Sequence, residues 1–307
     1  MKKAILFKKL AGDLVRCTAC AHYCRIEASK TGICGVRKNH KGDLFLLVYG
    51  KAVAVNVDPI EKKPLYHFMP KTSILSFGTV GCNFKCDFCQ NWDISQRTKG
   101  LKNLSIPLEA GLRTKEQEEQ FEWGDNLTPN EIVNLAVKNK IPSIAYTYNE
   151  PAIFFEYAFD TAKLVKKAGL KNVFVSNGYQ SKESRDKILP YLDAINIDLK
   201  FFDDKSYQKY CGAKLKPVLE NITLYHTNKV HLEVTTLIIP GLNDSTENLK
   251  KIAEFIANLS PKIPWHISRF FPAYKMLDSD ITPESTLKKA QTIGKKAGLR
   301  YVYLGNV

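Results

Sequence analysis

The sequence predicts an α/β protein, an open or partial β/α barrel preceded by a small cysteine-rich lobe. Three observations lead to this fold class. From residue 73 onward, apolar and β-branched segments alternate with helical patterns, which is typical of parallel strands joined by crossover helices. No GxGxxG motif opens a helix, so a dinucleotide-binding sheet loses its main support. Seven of the eight cysteines fall into two groups, and the first group precedes the barrel.

The alternation predicts the strands and helices individually. Strands are expected near residues 73, 143, 172, 194, 230, 265 and 301. Helices are expected near residues 128–140, 151–168, 181–190, 214–227, 245–259 and 282–297. Thr128 is a suitable N-cap, with Pro129 at the first helical position and Glu131 completing a capping box. Gly169 stands where the second helix should end before the next strand.

We expect two parts in the chain. Residues 1–72 comprise the cysteine-rich lobe and, over 51–72, an extended connection. Residues 73–307 form the barrel. Within it, the highly charged residues 97–127 predict a surface insertion, with a short helix near 114–122, for which a solvated excursion is favoured over a lid.

The composition is that of an ordinary globular protein, with 44% apolar and 25% charged residues. No apolar run reaches the roughly 20 residues of a membrane helix, and the N-terminus has no signal-peptide core. We therefore expect a cytoplasmic protein with no membrane partner. The net charge of +14 fits a solvated basic surface, or an acidic partner such as a nucleic acid or an electron-carrier protein.

Polar motifs follow the predicted strands. They read "GTVGC", "TYNEP", "SNG", "DLK", "PGLND" and "ISRF". In β/α barrels the chemistry gathers at the carboxyl ends of the strands. The sequence therefore places a functional site where these motifs meet.

The stretch "GCNFKCDFCQNWDIS" carries Cys82, Cys86 and Cys89 directly after the first barrel strand. Thiolates favour zinc or iron–sulfur centres. Three cysteines on one loop can hold three irons of a 4Fe–4S cluster and leave the fourth iron open. The alternatives are a structural zinc site or three unligated thiols.

The N-terminal set has the spacing Cys17-x2-Cys20-x3-Cys24-x9-Cys34. Four thiolates can close a zinc site or carry a second iron–sulfur cluster, and the spacing leaves both open. The eighth cysteine, Cys211, has no partner nearby in sequence and is expected to be a buried structural thiol.

The Cys-x3-Cys-x2-Cys loop resembles that of the radical S-adenosylmethionine (SAM) superfamily, and Phe88 before the third cysteine fits its pattern. The resemblance implies a 4Fe–4S cluster on Cys82, Cys86 and Cys89, with the amino and carboxylate groups of SAM on the fourth iron. It further implies that an electron from the cluster cleaves SAM to methionine and a 5′-deoxyadenosyl radical, which abstracts hydrogen from a substrate.

The same resemblance extends to the next strand ends. "TYNEP" stands where the family has a Gly-Gly-Glu-type motif, so Asn149 and Glu150 are expected to contact the methionyl amino group. Pro151 also fits the first position of a helix. In "VSNG", which resembles the third strand end of glycyl-radical-enzyme activases, Ser176 and Asn177 are expected to face the cofactor.

The later strand ends add three candidates. In "IDLK", Asp198 and Lys200 share one face of a strand and either face the cofactor or form a simple ion pair. In "WHISRF", His266 either stacks near the adenosine or is a satisfied core histidine.

Across nearly the whole chain, the sequence resembles the radical SAM enzyme of the AmmeMemoRadiSam system, which is similar to pyruvate formate-lyase activating enzyme. The resemblance rests on "CxxCxxxC…GxCGVRxN", "DPIEKKPLYHF", the three-cysteine loop, "TYNEP" and "YLGNV". Two departures stand out. The insertion at 97–127 is longer than in the family, and a tail with a further Cys-x2-Cys pair does not follow Val307.

The leading interpretation is therefore a radical SAM enzyme, oxidoreductase-like, with an acidic electron donor such as flavodoxin or ferredoxin. Its substrate is unidentified, and the family likeness favours a protein or small molecule over RNA. One alternative is an iron–sulfur electron carrier without radical chemistry, which would not need the polar strand ends. A second alternative is radical SAM modification of RNA. A third is a zinc-stapled RNA-binding protein, but that function would leave the three-cysteine loop unexplained.

Overall fold

The computed structural model describes residues 1–96, 98 and 123–307. Strands in this part of the chain are β1 (Lys2–Lys3), β2 (Phe7–Lys9), β3 (Val15–Cys17), β4 (Arg25–Ile26), β5 (Arg37–His40), β6 (Asp43–Leu46), β7 (Lys51–Ala52), β8 (Ala54–Pro59), β9 (Ser73–Gly78), β10 (Asp125–Asn126), β11 (Ser143–Tyr146), β12 (Lys171–Ser176), β13 (Ala194–Asp198), β14 (His231–Ile238), β15 (Trp265–Arg269) and β16 (Val302–Gly305).

Helices in the same residues are α1 (Trp92–Ser95), α2 (Pro129–Lys138), α3 (Phe155–Lys167), α4 (Lys182–Ile188), α5 (Asp204–Ser206), α6 (Leu215–Thr227), α7 (Thr246–Leu259) and α8 (Glu284–Lys296). Shorter 3-10 turns span Ile60–Lys62, Pro151–Phe154 and Leu189–Tyr191, and a π-helix spans Tyr207–Cys211.

One large sheet dominates the molecule. Its strand order is β16-β15-β14-β13-β12-β11-β9-β8. All neighbours from β9 to β16 pair in parallel, and β8 pairs antiparallel with β9 at the edge. The strand order follows the chain order, as expected when each strand returns through a crossover helix. The predicted α/β fold of partial-barrel type is confirmed.

Caps and amphipathic faces explain where the helices begin and end and which side of each helix is buried. Thr128 and Glu131 form a reciprocal capping box at the start of α2. Gly169 ends the α3 segment with φ +76°, a left-handed conformation that glycine adopts without strain. Helix α7 buries Leu249, Ile252, Ala253 and Ile256, a spacing that turns one stripe toward the sheet.

The amino ends of the barrel strands are closed by residues 60–69. A small apolar cluster there consists of Ile60, Leu65, Ile74, Ala145, Val173 and Ala194. Asn196 on β13 donates to the carbonyl oxygen of Pro64 at 2.8 Å. Phe68 and Met69 pack against the same cluster. Among the residues that the structure describes, the carboxyl ends are therefore the end that is not closed in this way.

The N-terminal residues form two small antiparallel sheets, β2-β3-β4 and β1-β6-β5. They dock on the loop that follows β12, where the amide of Ala21 donates to Tyr179 O at 2.9 Å and the Ser181 hydroxyl donates to Thr18 O at 2.5 Å. The connection expected over 51–72 includes β8, which completes the edge of the large sheet because its backbone pairs with β9.

The expected insertion over 97–127 falls almost entirely outside the described residues, as does the helix near 114–122. Its last described part, β10, pairs antiparallel with β7. Among the residues that the structure describes, no helix is long and apolar enough to cross a bilayer.

Candidate active site at the carboxyl ends of the strands

A cavity of about 220 Å³ lies at the carboxyl ends of the barrel strands. Most residues predicted for the site line it. They are Cys82, Cys86, Phe88, Cys89, Asn149, Ser176, Asn177, Asp198 and Lys200. The remaining predicted residues, Glu150 and His266, are not among its lining residues. The topology explains the gathering, since parallel strands bring their carboxyl ends to one edge.

The three-cysteine loop leaves β9 and folds over the cavity. The amide of Phe84 donates to the Cys82 sulfur at 3.4 Å, and the Cys89 sulfur lies 3.1 Å from the Ser95 hydroxyl of α1. Phe84 is buried with its ring edge against Tyr179, which anchors the loop to the β12 end. The loop is thus held in place by its own aromatic residues as well as by its backbone.

The π-helix clamps the other side of this loop. The amide of Lys85 donates to Cys211 O at 2.9 Å, and the amide of Asp87 donates to Tyr210 O at 3.1 Å. These bonds bring the buried Cys211 against Cys86. A hydrogen bond between the two thiols, together with burial, raises the pKa of Cys86 well above its usual range.

Asn149 ties the β11 end to the backbone that precedes the cysteines. Its Nδ2 donates to Thr79 O at 2.6 Å and to Gly81 O at 2.8 Å. Its Oδ1 is buried and has no hydrogen-bond partner among the described residues. Because a buried unpaired acceptor costs free energy, this atom is suited to receive a hydrogen bond from a bound ligand.

Glu150 lies behind the cavity wall and organises it. Its carboxylate accepts from the amide of Ala152 at 3.0 Å, the amide of Asn177 at 2.8 Å and the hydroxyl of Ser176 at 2.9 Å. Burial raises the pKa of Glu150 to about 7, against the opposing effect of these hydrogen bonds. The side chain therefore joins the ends of β11 and β12 and does not line the cavity.

Asp198 and Lys200 form the ion pair that was one of their two predicted roles, and both line the cavity. Lys200 Nζ lies 2.8 Å from Asp198 Oδ2. Burial disfavours the charge of Lys200, but Asp198, Cys86 and Cys211 outweigh burial and raise its pKa well above the usual range. The ammonium group stays charged beside the cysteine loop.

His266 lies at the opposite end of the barrel, so its expected contact with the adenosine needs correction. Its Nε2 is 2.6 Å from Glu233 Oε2, and its ring packs against Tyr66 and Tyr303. His266 occupies the second position of β15, in the amino half, so the register turns it toward residues 60–69. It is a satisfied core histidine.

Comparison with known proteins assigns the chain to a family. The family model of the radical SAM superfamily matches residues 77–256, from the end of β9 through the cysteine loop to α7. The chain belongs to the radical SAM superfamily.

Relatives agree with this assignment. This radical SAM enzyme is 41% identical to the uncharacterized protein MJ0808 of Methanocaldococcus jannaschii, over 100% of this chain and 86% of that protein. It is 24% identical to the pyruvate formate-lyase-activating enzyme of Clostridium pasteurianum, over 58% of this chain and 67% of that protein. It is thus similar to activating enzymes of the superfamily, and SAM-dependent radical chemistry follows from membership.

A solved structure supports the fold. A radical SAM methyltransferase from Sphaerobacter thermophilus superposes with a TM-score of 0.55, at 14% sequence identity, over 77% of this chain and 67% of that protein. At this identity the similarity concerns the fold alone.

The family implies a 4Fe–4S cluster and SAM, and the residues of this radical SAM enzyme fit both. Three thiols, an unpaired amide oxygen on Asn149 and the ammonium of Lys200 line one cavity. Within residues 1–96, 98 and 123–307, no three His, Cys, Asp or Glu side chains gather as around a single metal ion. A cluster does not require such a gathering, because each cysteine binds a different iron.

Sequence reasoning missed two contributors. Cys211 was expected to be a structural thiol, and nothing in the sequence connects it to Cys86, 125 positions away. Asn83 is not among the predicted site residues, yet its Oδ1 accepts from Asn177 Nδ2 at 2.8 Å and joins the cysteine loop to the β12 end. Its place between two cavity residues, directly after Cys82, was the available signal.

Proposed function

We propose that Cys82, Cys86 and Cys89 hold a 4Fe–4S cluster, that the rest of the cavity binds SAM, and that the enzyme abstracts hydrogen from a substrate admitted at the strand ends. When bound, the cluster supplies the electron that cleaves SAM to methionine and a 5′-deoxyadenosyl radical. The observation that carries this proposal is the convergence of the three thiols with the polar strand ends on one cavity.

The cavity offers complementary groups for the amino-acid end of SAM. The unpaired Oδ1 of Asn149 can accept a hydrogen bond from the amino group. Lys200 supplies a positive charge for the carboxylate, and Asp198 keeps that charge in position. Glu150 acts indirectly, because its hydrogen bonds hold Ser176 and Asn177 at the cavity wall.

Apolar residues complete the lining. Phe88, Val175 and Leu237 face the same cavity as the polar groups. A reactive radical needs a site from which water and stray hydrogen donors are excluded. We assign that role to these three side chains.

An acidic electron donor, such as flavodoxin or ferredoxin, fits the basic chain, whose formal net charge is +14. The cysteine-rich sequence fits a reducing, cytoplasmic setting. For the substrate, the similarity to a pyruvate formate-lyase-activating enzyme favours a protein or small molecule over RNA. A glycyl-radical-type protein substrate is the first to test.

The experiment is a SAM-cleavage assay. Protein reconstituted anaerobically with iron and sulfide is mixed with reductant and SAM, and 5′-deoxyadenosine is quantified. We expect product from the wild-type protein and none above background from Cys82→Ala. Equal product from both proteins, or none from a wild-type protein that holds its full iron and sulfide, would contradict the proposal.

A further inference from the structure

The four N-terminal cysteines converge although their sequence positions span 17–34. Cys17 ends β3, Cys20 and Cys24 lie in the loop that follows, and Cys34 precedes β5. The amide of Cys17 donates to Cys24 O at 2.9 Å, which closes the loop. All four line one small cavity, and no disulfide joins them in the described chain.

Arg37 lines the same cavity, and one of its N–H groups has no hydrogen-bond acceptor among the described residues. It is 2% exposed, its Nε donates to Ile153 O at 2.9 Å, and its Nη2 pairs with Glu156. Its Nη1 is buried without a hydrogen-bond partner among the described residues. A buried N–H without an acceptor is costly, and none of the described residues supplies one here, so this donor is available to an acceptor bound in the cavity. A metal-bound thiolate or sulfide sulfur is such an acceptor.

We propose that Cys17, Cys20, Cys24 and Cys34 bind a second metal centre through four thiolates, and that Arg37 Nη1 donates a hydrogen bond to its sulfur. Zinc and an iron–sulfur cluster share this donor set. The cavity is about 10 Å³, and its thiols do not gather as around a single ion among the described residues, so metal binding requires the four sulfurs to rearrange. A cluster needs the four sulfurs further apart than the roughly 3.8 Å that a tetrahedral zinc site imposes.

This centre lies against the active-site loop. His22, which lines the N-terminal cavity, has its Nε2 3.0 Å from Asn83 O, and Asn83 directly follows Cys82. At Gly81 a Cβ would come within 2.5 Å of Cys34 O, so glycine permits the close approach. We infer that the second centre supports the start of the cysteine loop. That supporting role rests on the proposed function, whereas the metal site itself does not.

The first test measures metal in a variant that lacks the active-site ligands. The Cys82/Cys86/Cys89→Ala triple variant is purified anaerobically, its fold is checked by circular dichroism, and zinc, iron and sulfide are quantified. We expect about one equivalent of zinc, or about two to four of iron with matching sulfide. Neither metal in a folded triple variant would overturn the proposal.

A matched control uses the remaining cysteine. Adding Cys211→Ala to the triple variant should leave the metal content unchanged, whereas adding Cys17→Ser and Cys20→Ser should abolish it. Equal metal in both would contradict the assignment. If the triple variant does not fold, the metal content of the reconstituted wild-type protein is measured instead. Beyond the four irons of the active-site cluster, we expect four more irons for a second 4Fe–4S cluster, two more for a 2Fe–2S cluster, or one zinc, which gives totals of about eight irons, about six, or about four with one zinc. Four irons and no zinc would overturn the proposal.

The second test isolates Arg37. Arg37→Met combined with Glu156→Gln removes the ion pair without leaving a lone buried charge. We expect the affinity for the second metal, measured by chelator competition in the triple variant, to fall about 10- to 100-fold, as for other groups that hydrogen-bond to metal ligands. Lys2→Met with Asp160→Asn, which removes another ion pair to α3, should leave it unchanged. Equal affinity in both double variants would contradict the role of Arg37.

Discussion

Two buried polar groups at opposite ends of the barrel, Glu233 and Asn149, differ in how fully they are hydrogen-bonded. At the amino end, Glu233 accepts from His231, His266 and the backbone amides of Tyr66 and His67. At the carboxyl end, Asn149 Oδ1 is buried and accepts no hydrogen bond from the described residues. A closed hydrogen-bond network holds a fold together, whereas an open one is available to a ligand. The unpaired Asn149 Oδ1 lies in the carboxyl-end cavity and is therefore available to a ligand there.

Two buried glutamates show the same contrast. Although burial raises its pKa, Glu233 is held at a pKa of about 2 by its hydrogen bonds from His231, His266 and two amides. Glu150, with fewer donors and no cationic partner, has its pKa raised by burial to about 7. Both carboxylates are closed off from solvent, and the additional donors to Glu233 favour its charged form.

The largest effect is expected at the cysteine loop. Cys86→Ala removes a proposed cluster ligand, so cluster and 5′-deoxyadenosine formation should both be lost. Cys211→Ala removes only the thiol beside it and should keep the cluster, as judged by iron, sulfide and visible absorbance. Full cluster content in Cys86→Ala would contradict the ligand assignment.

The next effect concerns stability and compares the two glutamates. The Glu233 carboxylate accepts four hydrogen bonds. In Glu233→Gln an NH2 group replaces one oxygen and faces N–H donors that it cannot accept, so the free energy of unfolding should fall by about 3 kcal/mol. Glu150→Gln should change it by about 1 kcal/mol or less at pH 7, because with a pKa of about 7 the wild-type carboxyl is already about half neutral there, and a neutral amide replaces it. Urea denaturation measures both. A larger loss from Glu150→Gln would reverse the comparison.

The pH dependence of stability separates the glutamates further. The pKa of Glu150 rises from about 4.5 in the unfolded chain to about 7 when folded, so the folded state binds the extra proton. Its contribution is fully present below pH 4.5 and is lost as pH rises through 7, by up to about 3 kcal/mol. Glu150→Gln should flatten the profile between pH 5 and 7. Parallel profiles would contradict this assignment.

Glu233 should change the pH dependence of stability in the opposite direction to Glu150. Its folded pKa of about 2 lies below the unfolded value, so its stabilisation is present above about pH 4.5 and is lost as pH falls toward 2. Glu233→Gln should therefore weaken the dependence of the unfolding free energy on pH below about 4.5, which urea denaturation at several pH values measures.

The smallest effect is expected for the reduction potential of the cluster. Hydrogen bonds to the sulfurs raise the potential of such clusters. With Cys86 bound to iron as a thiolate, Cys211 becomes the donor of the thiol–thiol hydrogen bond. Cys211→Ala should lower the potential in a redox titration, and Cys211→Ser, which keeps a donor, should lower it less. If Cys211→Ala leaves the reduction potential unchanged, the hydrogen bond between Cys211 and Cys86 does not influence the cluster.

Much of the fold could be predicted because its signals are local. Alternating strand and helix patterns, the Thr128 capping box and Gly169 depend on neighbouring residues, and the structure has these elements where they were expected. The convergence of the strand-end motifs also followed, since parallel strands share one edge. The large sheet also includes β8 as its edge strand, and the pairing of β8 with β9 depends on a contact between distant residues.

The rest depended on register and long-range contact. His266 could be placed on its strand, but only the register showed that it faces the amino end and Glu233. Glu150 belongs to a predicted motif, yet its burial behind Ser176 arises from packing between two strands. The contact of Cys211 with the cysteine loop depends on a π-helix, which local sequence does not reveal.

The central claim is that the carboxyl-end cavity holds a cluster with an iron open to SAM. The most direct measurement is the electron paramagnetic resonance spectrum of the reduced, reconstituted Cys17/Cys20/Cys24/Cys34→Ser variant with and without SAM labelled with ¹⁷O in its carboxylate. We predict a reduced-cluster signal that changes on SAM addition and carries ¹⁷O coupling. A cluster signal that SAM leaves unaltered, in protein shown to be folded, would contradict the account.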